Sequence, residues 1–202
     1  MMMTKYLTLL SLILWMLVGC DKECDVEITA YQFKDPQPLP SFTLESAFGQ
    51  PTVSQEDFAN DFVVLDFFFT SCPSICPKMS RNMQRIQQEL KGIDGISLVS
   101  ISIDERRDDI HRLREYAALY EADTSTWSFL RGSREDVFGL ADALKIGVLE
   151  SDLPTSGGFD HSGTFIVVTP DQKVTYFVTG DGTEDHEVDD LICFLKQTLT
   201  DR

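Results

Sequence analysis

The sequence predicts one α/β domain in which helices flank a central mixed sheet. Two observations support this prediction: apolar runs alternate with amphipathic helical stretches along the middle of the chain, and a hairpin followed by a helix closes it. The chain has 202 residues, of which 43% are hydrophobic, enough for a core that needs no disulfide scaffold. We expect this domain to occupy residues 41–202.

Hydrophobic periodicity predicts the elements in chain order. Residues 61–70 form a nearly continuous apolar run, typical of a strand covered on both faces in a parallel sheet. Apolar residues then recur at steps of three and four along 78–91, which predicts a helix. A loop over 150–162 precedes the final hairpin. The other predicted elements are a short strand or loop at 41–48, strands at 96–103, 127–130, 164–169 and 174–178, and helices at 108–120, 135–144 and 186–199.

The order of these elements narrows the fold class. A parallel pair of strands, followed by a hairpin and a closing helix, is the arrangement of the thioredoxin fold. We therefore predict a thioredoxin-like fold with a central mixed sheet.

The first twenty residues resemble a bacterial export signal. Lys5 supplies a positive charge, and the apolar residues 7–18 are too few to span a membrane, which takes about 20. Gly19-Cys20 follows and resembles the lipobox, where a lipid is attached to the cysteine and the chain is cut just before it. We expect a lipoprotein signal peptide at 1–19 and a lipid on Cys20; an uncleaved anchor and an ordinary signal peptide are the alternatives.

Residues 20–40 are expected to link the lipid to the domain. Pro36, Pro38 and Pro40 favour an extended linker, and this segment contains Cys24. The domain would then work on the extracytoplasmic face of the bacterial cell envelope, tethered to the membrane. Cys193 lies in the last predicted helix and is assigned no role.

The net charge of −16 bears on the class of partner. A chain this acidic is repelled by phosphate backbones, so we expect no nucleic-acid partner. The acidic residues are most simply explained as a solvated surface.

The motif that carries chemistry is Cys72-Pro73-Ser74-Ile75-Cys76, which follows the buried strand and opens a helix. A helix N-terminus stabilises thiolate and so makes sulfur both a nucleophile and a metal ligand. Residues four apart on a helix share a face, with Cβ atoms about 5–6 Å apart, so the sulfurs can converge on a soft ion or form a disulfide. A purely structural disulfide is less favoured, because so small a loop constrains the unfolded chain little.

Two redox functions compete with metal binding. In a thiol–disulfide oxidoreductase, Cys72 would attack a client disulfide and Cys76 would resolve the mixed disulfide. Such enzymes place C-x-x-C here and a cis-proline before the later strand, where this chain reads DHSGT at 160–164. Peroxide reduction is disfavoured, because its T-x-x-C pattern would require a cysteine at Pro73.

His161 is the third candidate ligand. It lies in the loop entering the strand at 164–169, which in a thioredoxin fold abuts the cysteine motif, whereas His111 and His186 lie among charged residues and are expected on the surface. Two thiolates and an imidazole suit copper as Cu(I) or Cu(II), while a closed zinc site needs a fourth ligand that the sequence does not offer. Asp160 is a candidate for orienting the imidazole.

Four segments resemble the Sco/SenC family of copper-binding assembly proteins. They occur in family order: FTSCPSICP at 69–77, SISID at 100–104, WSFLRGS at 127–133 and DHS at 160–162. The C-x-x-x-C-P element and the distant D-H-S are together fairly specific. The resemblance implies a thioredoxin-like fold, a membrane-anchored domain and one copper ion bound by Cys72, Cys76 and His161.

The resemblance also implies a function. The family supports maturation of the binuclear copper (CuA) site of cytochrome c oxidase, by passing copper, by reducing the receiving cysteines, or by both. The copper-bearing subunit of that oxidase is therefore the expected partner, and thiol–disulfide oxidoreductase is the alternative function. This chain departs from the family at Ser74, where many members are acidic, and at Glu105, where a proline is usual; neither departure removes a ligand.

Overall fold

An eight-stranded mixed sheet organises the fold. The computed structural model describes residues 31–152 and 157–201, and the strands of this sheet follow one another in the order β1-β10-β9-β4-β5-β6-β2-β3. Its strands are β1 Tyr31–Pro38, β2 Thr43–Ser46, β3 Thr52–Ser54, β4 Phe62–Phe68, β5 Ile96–Ser102, β6 Trp127–Arg131, β9 Thr164–Val168 and β10 Lys173–Thr179. A second sheet has two strands, β7 Val148–Glu150 and β8 Phe159–His161. The helices are α1 Cys76–Glu89, α2 Ile110–Leu119, α3 Arg134–Ala143 and α4 Asp185–Thr200, with a 3₁₀ turn at Gln55–Phe58.

The centre of the sheet is parallel and fully covered. Strand β4 is buried along its whole length and runs parallel to β5, which in turn runs parallel to β6. On its other side β4 pairs antiparallel with β9, the first strand of the closing hairpin. Helices α1 and α2 make the crossovers, as parallel connections require. The predicted thioredoxin-like fold with a mixed sheet is confirmed.

Helix α1 begins two residues earlier than its periodicity predicts. Its first residue is Cys76, followed by Pro77, which fits a first turn because the N–H that proline lacks has no helical partner there. Met79, Met83 and Ile86 are completely buried and form the face that packs on the sheet. The helix start therefore coincides with the second cysteine of the motif.

Two predicted loop segments contain strands. Residues 31–38, placed in the extended linker by their prolines, form β1, which pairs antiparallel with β10. The linker prediction is wrong for this part of the chain, because β1 supplies the partner for the outer edge of β10, and an edge strand tolerates proline. The predicted loop at 150–162 holds β8, whose His161, Asp160 and Phe159 pair with β7.

Of the three cysteines outside the motif, the structure describes Cys193. Cys193 in α4, which the sequence analysis leaves without a role, is disulfide-bonded, whereas Cys72 and Cys76 are free. Cys20, Cys24 and the predicted signal peptide lie outside the described residues. Within 31–152 and 157–201, no helix combines the length and apolar character needed to cross a membrane.

Candidate metal centre

Three side chains converge at the carboxyl end of β4. The two sulfurs of Cys72 and Cys76 and a ring nitrogen of His161 lie within 4.8 Å of one another. All three side chains are buried, with exposed fractions of 7%, 0% and 8% respectively. The structure thus brings together the three residues that the sequence analysis selects as ligands.

The cysteines approach each other through a loop and not through helical spacing. Cys76 is the first residue of α1, but Cys72 lies before the helix, in the loop of residues 69–75 that we call the cysteine loop. The expectation of two cysteines on one helix face is therefore wrong. A residue before a proline is disfavoured in the helical conformation, and Cys72 precedes Pro73.

A buried carboxylate fixes the start of the cysteine loop. Asp108 is completely buried and accepts hydrogen bonds from the Thr70 backbone N–H (3.0 Å), the Thr70 hydroxyl (2.6 Å) and the Ser102 hydroxyl (2.6 Å). These bonds join the end of β4 to the end of β5. Since Thr70 lies two residues before Cys72, the carboxylate limits where the first sulfur can be.

Hydrogen bonding assigns the tautomer of His161. Its Nδ1 lies 3.0 Å from the backbone oxygen of Ser162, and a carbonyl oxygen only accepts, so Nδ1 carries the proton. Nε2 therefore presents its lone pair to the Cys76 sulfur, 3.2 Å away. A neutral imidazole with its outer N–H fixed by an acceptor is the usual state of a metal ligand.

Asp160 does not orient this imidazole. Neighbouring residues of a strand point to opposite faces, and Asp160 is exposed while His161 is buried. The acceptor is instead the Ser162 carbonyl. The prediction of an Asp160–His161 contact is thus wrong.

The two cysteine thiols differ in acidity. A hydrogen bond from the Cys76 thiol holds the pKa of Cys72 well below its ordinary value, against the opposing effect of burial. Burial raises the pKa of Cys76, and the neighbouring Cys72 raises it further. Cys72 is therefore the more acidic of the two thiols, and a metal that binds both sulfurs displaces the Cys76 proton.

A second buried carboxyl lies on the strand that leads to the site. Asp66 in β4 is 1% exposed and accepts a hydrogen bond of 2.6 Å from Ser100, which accepts one of 2.9 Å from the Trp127 indole. Burial raises the pKa of Asp66 to about 6, and the Ser100 hydrogen bond and His161 lower it in part. This carboxyl therefore stays protonated to a higher pH than an exposed aspartate does.

Comparison with known proteins identifies the family. The SCO1/SenC family model matches residues 32–196, which include all three converging side chains. The chain belongs to the SCO1/SenC family.

Individual relatives agree with this membership. The chain is 30% identical over 175 residues to the SCO1 protein homolog of Bacillus subtilis strain 168, covering 84% of this chain and 88% of the relative. It is 31% identical over 137 residues to a Stutzerimonas stutzeri protein described as copper-binding, covering 66% and 65%. A solved structure of BsSco, described as having a disulfide switch and as a member of the Sco family of cytochrome c oxidase assembly proteins, is 29% identical, with a TM-score of 0.67 over 83% of this chain and 98% of that one.

The remaining histidines of this SCO1/SenC protein lie on the surface, as predicted. The His111 side chain is 81% exposed beside Glu115, and that of His186 is 59% exposed beside Glu184. Neither belongs to the cluster around the cysteines.

The sequence does not predict the buried carboxyl groups of Asp66 and Asp108 near the site. A signal existed for Asp66, because it is the one charged residue inside the apolar run at 62–69. Asp108 gave none, since it stands in a charged segment that resembles any solvated helix start.

Proposed function

We propose that this protein is a lipid-anchored, extracytoplasmic copper chaperone that delivers copper to the CuA site of a respiratory cytochrome c oxidase. As a Sco-family protein it binds copper and takes part in oxidase assembly. Cys72, Cys76 and His161 would hold one copper ion as cargo. The observation that carries this proposal is the convergence of two sulfurs and one imidazole nitrogen within 4.8 Å.

The donor set fits copper better than other metals. Thiolates prefer soft Cu(I), and an imidazole beside them extends the site to Cu(II). A closed zinc site needs four protein ligands, and the cluster within residues 31–152 and 157–201 contains three. The ligand nitrogen already presents its lone pair toward the Cys76 sulfur, so the imidazole need not lose a proton for a metal to enter.

The cellular placement is supported by the cysteines and the amino-terminal sequence. Gly19-Cys20 follows an apolar stretch of signal-peptide length, and a lipid on Cys20 would tether the domain to the membrane. Cys193 is disulfide-bonded, and structural disulfides persist in oxidising compartments outside the cytoplasm. Both features favour the extracytoplasmic face.

Thiol–disulfide exchange is the second candidate function, favoured by the free cysteine pair with its unequal thiols. The Cys72 thiolate would attack one sulfur of a client disulfide and displace the other as a thiolate. Cys76 would then lose its proton, attack the Cys72 sulfur and release the client as a dithiol. The client gains two electrons, and this chain ends as the Cys72–Cys76 disulfide.

Copper stoichiometry of the reduced protein tests the proposal. We expect one copper per wild-type chain, and loss or weakening of binding in Cys72→Ser, Cys76→Ser and His161→Ala. His111→Ala is the matched control, since that histidine lies on the surface, and it should bind like wild type. No copper in the reduced wild type, together with active disulfide exchange, would transfer the protein to the oxidoreductase class.

A further inference from the structure

His161 lies outside the eight-stranded sheet. It ends β8, whose pairing partner is β7, so this ligand is carried by the two strands that we call the histidine hairpin. The cysteines, in contrast, follow directly from β4. The distance between Nε2 and the Cys76 sulfur therefore depends on whatever holds the histidine hairpin against the cysteine loop.

Two contacts dock the entry to β8 on the cysteine loop. The rings of Phe159 and Phe69 meet edge-on, with centroids 5.3 Å apart. Gly157 lies so close to the loop that a Cβ there would come within 3.0 Å of Pro73 and 3.1 Å of the Ser71 oxygen. Together with its φ of +69°, this close approach strongly favours glycine, and it places the entry to β8 on the loop that carries Cys72.

Arg107 covers this junction from the outside. The centre of its guanidinium lies 5.8 Å from the Phe69 ring centroid and 5.7 Å from that of Phe159, so one cation faces a ring on each side of the junction. Gly158 lies against the same group, since a Cβ there would come within 3.0 Å of an Arg107 terminal nitrogen. The guanidinium therefore contacts both the cysteine loop and the chain entering β8.

The guanidinium is itself fixed at the end of β5. Its Nε donates to the Asp104 carboxylate, which is 2% exposed. That carboxylate also accepts from the backbone N–H groups of Arg106 and Arg107, at 3.3 and 3.2 Å. Arg107 thus links three parts of the molecule: the end of β5, the cysteine loop and the histidine hairpin.

We propose that Arg107 is a positioning residue for His161, and that its planar guanidinium keeps the imidazole in reach of the two sulfurs. The inference rests on the proposed copper function for its metal readout. Charge alone does not supply this role, because a lysine ammonium can satisfy Asp104 but has no plane to lie along two rings. Copper held by both thiolates alone bypasses the hairpin, so Arg107 should matter for Cu(II), which needs the imidazole, and little for Cu(I).

The test compares Arg107→Lys with Arg106→Ala in the full chain. Arg107→Lys retains a cation for the buried Asp104. Arg106 is a neighbouring exposed arginine, and in the part of the chain that the structure describes the cation over the Phe69 and Phe159 rings is that of Arg107. We expect Arg107→Lys to raise the Cu(II) dissociation constant about fivefold, the size of one cation–π contact at a partly exposed site, and to change that for Cu(I) less than about twofold. Arg106→Ala should leave both constants unchanged.

A second readout needs no metal. Amide hydrogen exchange in the copper-free protein should be faster at 158–161 in Arg107→Lys than in wild type, with exchange in β4 unchanged. Equal weakening of Cu(I) and Cu(II), or unchanged exchange with unchanged Cu(II) binding, would overturn the inference. If the wild type binds no copper, the proposed function fails, and the exchange measurement alone still decides whether Arg107 holds the hairpin.

Discussion

The two halves of the metal centre are built in different ways. The cysteine half continues a fully buried central strand, starts a helix with a buried apolar face, and is tied down by the Asp108 carboxylate. The histidine half is a separate two-stranded sheet, held on the cysteine loop by Phe159, Gly157 and Arg107.

The sulfur ligands and the imidazole ligand are therefore held in place by different parts of the fold. The sulfurs belong to the domain core, so they keep their places as long as the domain is folded. The imidazole belongs to a separate sheet of two three-residue strands, which we expect to open more readily than the central strands. Because Cu(I) is satisfied by thiolates and Cu(II) needs the nitrogen, we expect the binding of Cu(II), and much less that of Cu(I), to depend on the docking of the histidine hairpin.

The largest expected effect comes from oxidising the cysteine half. A Cys72–Cys76 disulfide has no thiolate to offer, so copper binding should be lost completely and should return on reduction. Copper per chain, measured before and after treatment with oxidant and then dithiol, checks this. Stoichiometric binding by the disulfide form would contradict the three-ligand site.

A stability measurement probes the buried acid of the cysteine half. Burial raises the folded-state pKa of Asp66 to about 6 from an ordinary value of 3.8, so the folded state holds the proton more tightly than the unfolded chain. The stability this gives is fully present below pH 3.8 and is lost as pH rises through 6. As the pH rises from about 4 to 7, the free energy of unfolding of Asp66→Asn should therefore increase by up to about 3 kcal/mol relative to that of wild type.

Denaturant unfolding of the metal-free, reduced wild type and variant at about pH 4 and about pH 7 measures this gain. The amide oxygen introduced by Asp66→Asn can still accept the Ser100 hydrogen bond, so that contact stays constant in the comparison. A pH-independent difference between the two proteins would show that Asp66 does not titrate in this range.

Removing the imidazole tests the histidine half. His161→Ala should weaken Cu(II) binding by about a hundredfold, while Cu(I), held by the two remaining thiolates, should weaken by less than about tenfold. Competition titrations with a chelator for each oxidation state give both constants. Equal losses would mean that the two halves do not divide the oxidation states between them.

The anchor of the cysteine loop should give the smallest effect. Asp108→Asn replaces one accepting oxygen with a donor and so breaks bonds from Thr70 or Ser102, which should cost about 2 kcal/mol of unfolding free energy. Thermal or denaturant unfolding measures it, with Asp109→Asn, an exposed helix cap, as the comparison. A smaller loss in Asp108→Asn than in Asp109→Asn would show that the loop does not depend on this carboxylate.

The sequence predicts the cysteine half better than the histidine half, for a physical reason. Strand β4 and helix α1 have strong periodic patterns, because each buries one or both faces in the core. Strands β7 and β8 are three residues each and carry no periodicity, so the segment looks like a loop rich in glycine. His161 is predicted from its place before β9 beside the cysteine motif, with the D-H-S resemblance in support, and not from any periodic pattern of its own.

Buried polar residues are a second feature that the sequence does not predict. Asp108 and Asp104 stand in a run of charged residues, and their burial depends on how the end of β5 meets the cysteine loop. No local pattern encodes such a contact. The edge strand β1 escaped prediction for a related reason, since it is almost wholly exposed and contains two prolines.

Strand β1 would shorten the tether between a lipid on Cys20 and the folded domain. With a lipid on Cys20, the chain between the anchor and the folded domain would end at Tyr31 and not at residue 41, which removes ten residues, or about 35 Å of extended chain, from its reach. The protein would then sample only a thin layer of space beside the membrane. If the protein carries copper as proposed, it would exchange the ion only with a donor and an acceptor that lie close to the bilayer.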